Sequence, residues 1–130
     1  MTTKRLRFRL TLQIVWELFL YDILSAAAGF QAVHKRAARR PQSRKPTAPD
    51  LDTLVPRAVS AASAFYWKPV RCLQRSVVAA SVLKKHGVAA EVVIGCRHAP
   101  FAGHAWVEVG GRAINDTPGY SQKMSILERF

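Results

Sequence analysis

The chain has 130 residues, of which 49% are hydrophobic and 22% are charged. This composition excludes a disordered protein, and the length fits one globular domain. The net charge of +12 is divided evenly, with ten Lys or Arg residues and four acids in residues 1–56 and the same numbers in 57–130. Such a charge favours acidic partners in general but names none of them.

The two cysteines and the first apolar stretch indicate where the protein resides. Cys72 and Cys96 are too few for a disulfide framework and are not spaced like zinc ligands, which predicts free thiols in a cytoplasmic protein. The apolar stretch 10–33 lacks the cleavage site of a signal peptide. Glu17 and Asp22 interrupt it, and each would cost about 2.5–3.5 kcal/mol near the middle of a membrane span. A buried or membrane-surface helix is therefore predicted rather than a span.

The N-terminal region combines two apolar patterns. Residues 4–12, KRLRFRLTL, alternate basic and apolar side chains, which suits a strand, with a helical start as the alternative. From there apolar residues recur at steps of four and three, which predicts a helix whose stripe packs on the core. The members of this stripe are Leu12, Trp16, Phe19, Ile23, Ala26 and Phe30. The opposite side is also apolar, so the helix is expected to meet protein on more than one face; its members are Leu10, Ile14, Leu18 and Tyr21.

A basic, proline-rich loop is predicted for residues 35–56. It holds four of the seven prolines, and six Lys or Arg residues fall within 35–45 without an acid. A second helix is expected to start near Pro56, because proline suits a first helical turn, and to run through Phe65. Pro69 then forces a break before the next element.

The second half of the chain reads as a helix followed by strands. A helix opens at Cys72 and ends at Gly87, because cations crowd its last turn and glycine follows it. Residues 92–96, VVIGC, predict a short strand, and residues 104–116, HAWVEVGGRAIND, predict a hairpin around a Gly-Gly turn. The expected fold class is α+β, with N-terminal helices followed by a helix packed on a small antiparallel sheet.

Cys72 is the candidate nucleophile. At the first turn of a helix its sulfur meets unpaired backbone N–H groups and the positive end of the dipole, and Arg71 and Arg75 add positive charge. Each of these favours the thiolate, which is the nucleophilic form. The alternative is a small apolar core residue, the usual role of a lone buried cysteine.

His104 and Asp116 are the candidate base and orienting carboxylate, and the hairpin register decides whether they meet. A two-residue Gly110-Gly111 turn would place their side chains on opposite faces of the sheet. A three-residue loop, with Gly111 left-handed, would pair Glu108 with Arg112, Trp106 with Ile114, and His104 with Asp116. The second register joins opposite charges and an aromatic with a β-branched residue, so it is the predicted one.

These segments resemble a known family. The run RCLQRSVVAASVLKKHGVAAEVVIGC followed by HAWVEVGGRAIND is similar to the transglutaminase-like leader peptidases of lasso-peptide biosynthesis in bacteria. The resemblance implies a papain-like fold in which Cys72 is the nucleophile, His104 the base and then the acid, and Asp116 the residue that fixes the imidazole. The implied activity is cutting the leader from a ribosomally made precursor before an ATP-using cyclase closes the macrolactam. No metal or other cofactor is implied.

The resemblance also implies a domain layout and partners. Residues 1–130 are expected to form one peptidase domain, in which residues 1–55 form a helical region and residues 56–130 form the catalytic region. The partners implied are the precursor peptide, a separate winged-helix leader-recognition protein, because 1–55 is too short to hold one, and the lasso cyclase. The surplus apolar surface of the 10–33 helix would offer a contact site. No nucleic-acid motif is present, and the basic segment leaves peripheral membrane contact open.

Three other interpretations remain open. Other transglutaminase-like thiol hydrolases and acyltransferases use the same triad. A metal site would use Cys96, His98, His104 and Asp116, although their spacing matches no zinc pattern. A basic module without enzymatic activity could bind a protein or a membrane surface. In the peptidase interpretation the oxyanion donors are backbone N–H groups at the start of the Cys72 helix, since residues 56–71 contain no glutamine, and Gln74 has no assigned role.

Overall fold

A computed structural model describes residues 3–39, 41, 50–98, 101–115 and 123–130. Within these residues the helices are α1 (Thr3–Arg39), α2 (Leu51–Phe65) and α3 (Cys72–Lys85), and the strands are β1 (Ala90–His98), β2 (Phe101–Val109), β3 (Arg112–Ala113) and β4 (Ser125–Arg129). The strands form one antiparallel sheet in the order β3-β2-β1-β4. Helices first and a small antiparallel sheet after them confirm the predicted α+β class.

Helix α1 is bent back on itself at Gly29. Gly29 has φ 80° and ψ 177°, a conformation that only glycine adopts readily. Arg36 donates two hydrogen bonds to the Glu17 carboxylate, at 2.9 and 3.2 Å. Residues this far apart in sequence would be about 28 Å apart in a straight helix. The arm of residues 30–39 therefore folds back onto the longer first arm.

The first turns of α1 correct the strand expected at residues 4–12. The segment is helical because Leu6, Leu10 and Ile14 recur every fourth residue and reach the core together. The basic residues between them lie on the solvent side of the helix. The apparent alternation was thus a by-product of helical spacing.

Of the two faces of α1 that were expected to meet protein, one is buried and the other is not. Leu10, Ile14 and Leu18 are fully buried, whereas the stripe expected in the core is largely exposed, including Leu12, Trp16, Phe19, Ile23, Ala26 and Phe30. Both sides of this helix are apolar, so periodicity alone could not choose between them. Glu17 is also buried, and Arg36 compensates its charge.

Helix α2 and the end of α1 shorten the predicted loop 35–56. Residues 35–39 belong to α1 and residues 51–56 to α2, while residues 40 and 42–49 lie outside the described residues. Pro56 lies inside α2 rather than at its start, so the helix lacks the hydrogen bond that residue 56 would donate to the Asp52 carbonyl. The predicted helical end near Phe65 is confirmed.

Helix α3 lies between α1, α2 and the sheet. Its predicted bounds are confirmed, and Gly87 follows it with φ 87°. The face of the sheet that carries Val92 and Val107 packs on the helices, whereas Val93 and Trp106 lie on the other face with Met124. The predicted strand 92–96 extends to Ala90–His98, and β4 is an element that the sequence did not predict.

Candidate active site

Cys72 is the first residue of α3, as predicted. The residue before it, Arg71, is extended (φ −87°, ψ 171°) and makes no side-chain capping bond, and the first turn contains no acid. The first N–H groups of the helix lie beside the thiol, which is half-buried and not in a disulfide. This end of α3 can stabilise an oxyanion that forms beside it.

His104 lies on β2, opposite Gly95 of β1. Its imidazole stacks on the indole of Trp106, with ring centroids 5.9 Å apart and an interplanar angle of 25°. Trp106 is held in turn by burial against Val93 and by a hydrogen bond from its indole N–H to Glu108, at 2.9 Å. The imidazole is thus supported by a rigid, buried aromatic side chain.

Cys72 and His104 border one open cleft of about 750 Å³. The cleft lies where α2, α3, β2 and the segment after β3 meet, and its described lining also contains Pro56, Arg57, Ser60, Val70, Arg75, Ala105, Ile114 and Asn115. The two arginines are exposed, and no acid is among these described residues. Cys72 and His104 therefore border the same cavity, but the His104 ring stacks on Trp106 and so lies on the face of β2 that is turned away from the helices.

The predicted hairpin register is wrong. Val109 pairs with Arg112 and Glu108 with Ala113 across a two-residue Gly110-Gly111 turn. Both glycines have positive φ, 60° and 77°, as a turn that follows the strand twist requires. Glu108 therefore does not face Arg112, and a register extended from this turn would not pair His104 with Asp116.

The ladder ends before it reaches Asp116, which lies outside the described residues. The Ile114 N–H still bonds the Val107 carbonyl, at 3.0 Å. The Val107 N–H, however, donates to the Asn115 side chain at 2.7 Å instead of to a backbone carbonyl. Strand alternation consequently stops at residue 114 and places no constraint on the face taken by residue 116.

Asn115 is a residue that sequence reasoning missed. Besides accepting the Val107 bond, its amide donates to Ser76 Oγ at 3.3 Å, and Ser76 is fully buried on α3. One side chain at the cleft thereby joins β2 to the helix that carries Cys72. The only signal in the sequence is an asparagine at the end of a short strand, where its amide can replace backbone partners.

A polar cluster joins α1 to the start of α3. Asp22 accepts hydrogen bonds from Tyr66 (2.5 Å) and Gln74 (3.2 Å), and it forms an ion pair with Lys68 (2.6 Å). Burial acts to raise the pKa of Asp22, but the bonds from Lys68, Tyr66 and Gln74 outweigh it and hold that pKa below its ordinary value. Burial and the charge of Asp22 raise the pKa of Tyr21, the residue before it.

Gln74 takes its place in this cluster and not in the cleft. Its amide donates to the Leu18 carbonyl as well as to Asp22, and the side chain is buried.

The metal alternative gains no support from the residues that the structure describes. Among them, no group of three or more His, Cys, Asp or Glu residues could hold an ion. Cys96, one of its proposed ligands, is a buried strand residue opposite Gly103.

A cysteine at a helix start and a histidine on the adjoining sheet thus border one cleft. The chain belongs to the transglutaminase-like superfamily, whose family model matches residues 17–129, and this membership suggests a cysteine peptidase or transferase. It is similar to the microcin J25-processing protein McjB of Escherichia coli, with 43% identity over 56 residues, which are 43% of this chain and 27% of the relative. No solved structure matches the chain.

Proposed function

We propose that the protein is a cysteine peptidase that removes the leader from a ribosomally made lasso-peptide precursor before the macrolactam is formed. The observation that carries the proposal is the cleft shared by Cys72, at the open end of α3, and His104 in a transglutaminase-like domain. The similarity to a microcin-processing protein supports a ribosomal peptide as the substrate. The protein acts in the bacterial cytoplasm, where such precursors are made.

The proposed reaction has two steps. His104 takes the thiol proton, Cys72 Sγ bonds to the scissile carbonyl carbon, and the C–N bond breaks as His104 returns the proton to the leaving amine. The leader is then held as a thioester. His104 takes a proton from water, the resulting hydroxide attacks the thioester, the C–S bond breaks and the thiol re-forms. N–H groups of the first turn of α3 stabilise the oxyanion in both steps.

Asp116 completes the proposed triad by accepting a hydrogen bond from the His104 imidazole. The support is the family pattern, since the register argument has failed. Asn115, the residue before it, is fixed to β2 and α3 by two hydrogen bonds. Position 116 follows that anchor directly in the sequence. Asp116→Asn is expected to lower kcat less than His104→Ala, because it misorients the imidazole without removing it.

The test is cleavage of a synthetic lasso-peptide precursor, followed by mass spectrometry. Cys72→Ala is expected to abolish cleavage, because it removes only the nucleophile, while Cys96→Ser is the matched control and keeps the activity. Loss of activity in Cys96→Ser with retention in Cys72→Ala would overturn the assignment. Adding a primary amine separates hydrolysis from acyl transfer: a leader ending in a free carboxylate supports the peptidase, and a leader amide supports a transferase.

A further inference from the structure

A continuous apolar face covers the outer side of α1 and the end of α2. It is formed by Phe8, Leu12, Val15, Trp16, Phe19 and Ile23 of α1, with Phe65 and Trp67 beside them. Phe65 is 92% exposed and Trp67 75% exposed. A groove of about 780 Å³ runs between the two helices within this face. Exposed apolar surface of this extent on a folded domain marks a contact site.

The exposed ionisable side chains of α1 are all cationic. They are those of Lys4, Arg5, Arg7, Arg9, Lys35 and Arg39. The acids of the helix, Glu17 and Asp22, are turned inward and are paired with Arg36 and Lys68. The partner of this face must therefore be apolar and must tolerate or carry negative charge.

We propose that the apolar face docks on an anionic membrane surface, with α1 lying in the plane of the bilayer. Aromatic residues on one side of a helix with cations beside them are the features of a helix that binds at the lipid interface. A second copy of the chain would bring like charges together across the contact. The opposite charge of anionic lipid headgroups removes that repulsion.

The packing of α1 explains why the helix lies on the bilayer and does not cross it. Within the described residues α1 is the helix that is long and apolar enough to span a membrane by length and composition. Its inner side, however, is buried against the domain through Leu10, Ile14 and Leu18. Crossing would require exposing these contacts and the Glu17–Arg36 pair to lipid.

Helix α2 separates this face from the active-site cleft. Pro56, Arg57 and Ser60 line the cleft, whereas Ala58, Ala61, Ala62 and Phe65 line the groove. Docking through the apolar face would leave Cys72 and His104 accessible to a peptide. The proposal thus concerns a surface distinct from the catalytic one and can fail or succeed independently of it.

The test is flotation of the full chain with vesicles of phosphatidylcholine alone or mixed with phosphatidylglycerol. Binding is expected to the mixed vesicles and to weaken as salt is added. Trp16→Ser should lower the partition coefficient about tenfold, as expected for one lost apolar side chain. Lys4→Gln, at a position one helical turn before Phe8 on the same side of the helix, should lower it about fivefold. Circular dichroism of the variants should match the wild type, because both positions are exposed.

Two variants elsewhere on the surface serve as matched controls. Phe101→Ser removes an aromatic side chain that is 75% exposed on β2, and Lys123→Gln removes an exposed cation, so both should leave binding unchanged. The proposal is overturned if the wild type binds neither vesicle, if it binds both equally, or if Phe101→Ser weakens binding as much as Trp16→Ser. Protection of Trp16 by a leader-binding protein, in a chain that does not bind vesicles, would assign the face to a protein instead.

Discussion

Gly95 and Trp106 show how one residue without a side chain supports the candidate base. A Cβ atom at Gly95 would lie 2.7 Å from Trp106 Cη2 and 2.9 Å from Cζ3, closer than carbon atoms approach. The indole lies directly over Gly95 and is 1% exposed, so it has little room to move. Because the His104 ring stacks on that indole, the glycine indirectly sets the position of the imidazole.

Gly95→Ala is therefore expected to lower the free energy of unfolding by about 1–3 kcal/mol, the usual cost of overpacking a core. It should also lower kcat, because a displaced Trp106 shifts the His104 ring. Urea unfolding and precursor cleavage measure the two effects. Gly103→Ala is the matched control, since a Cβ there meets no atom within 4 Å. Equal free energies of unfolding and equal kcat values in the two variants would show that the Trp106 indole can shift without affecting stability or cleavage.

At the scale of elements, the Asn115 side chain holds β2 and α3 together. Asn115→Ala should lower the free energy of unfolding by about 1–3 kcal/mol, because the Val107 N–H loses its acceptor. Cleavage by the folded variant should also slow, because the helix that carries Cys72 is no longer fixed to the strand that carries His104. Ser76→Ala breaks only the second bond, so its effect should be smaller.

A double-mutant cycle between Asn115 and Ser76 isolates the link between strand and helix. We expect a coupling of about 0.5 kcal/mol or more in unfolding, with a matching non-additive change in kcat. Additive effects on both quantities would show that Asn115 only accepts the hydrogen bond from the Val107 N–H and does not couple β2 to α3.

The cluster around Asp22 joins α1, α3 and the segment between α2 and α3, and it makes stability depend on pH. The pKa of Asp22 in the folded protein lies below the ordinary value of about 3.9. The ionised carboxylate therefore contributes fully to the free energy of unfolding above that pH, and this contribution is lost as the pH falls through the folded pKa. Asp22→Asn should therefore flatten the acid limb of the unfolding curve below about pH 4. Asp50→Asn, which changes an exposed carboxylate, is the control and should leave the limb unchanged.

For the whole molecule, local signals in the sequence predicted most of the elements, although not the helical start of α1 or β4, and failed on how the elements face one another. The C-terminal end of α3 could be predicted from Gly87, and Cys72 could be chosen as a candidate because it begins the helix. The inner face of α1 could not be predicted, because both of its sides are apolar and the burial of Glu17 depends on Arg36, which the bend at Gly29 brings back. The hairpin register failed for a similar reason. Cross-strand pairing preferences favoured a three-residue turn, but Gly110 and Gly111, both with positive φ, close a two-residue turn.

The open form of the cleft leads to a prediction about how the substrate is held. A cavity of about 750 Å³ bordered by a few helical and strand elements offers few contacts to an extended peptide, so the isolated chain should cleave a precursor weakly. A separate protein that binds the leader would raise the local concentration of the scissile bond near Cys72, and we expect kcat/KM to rise about 100-fold or more on adding it. Progress curves with and without that protein measure the effect. A precursor whose leader lacks the segment bound by that protein is the control and should gain nothing. Full-rate cleavage by the 130-residue chain alone, unchanged by the partner, would contradict delivery and would place substrate selection within the cleft itself.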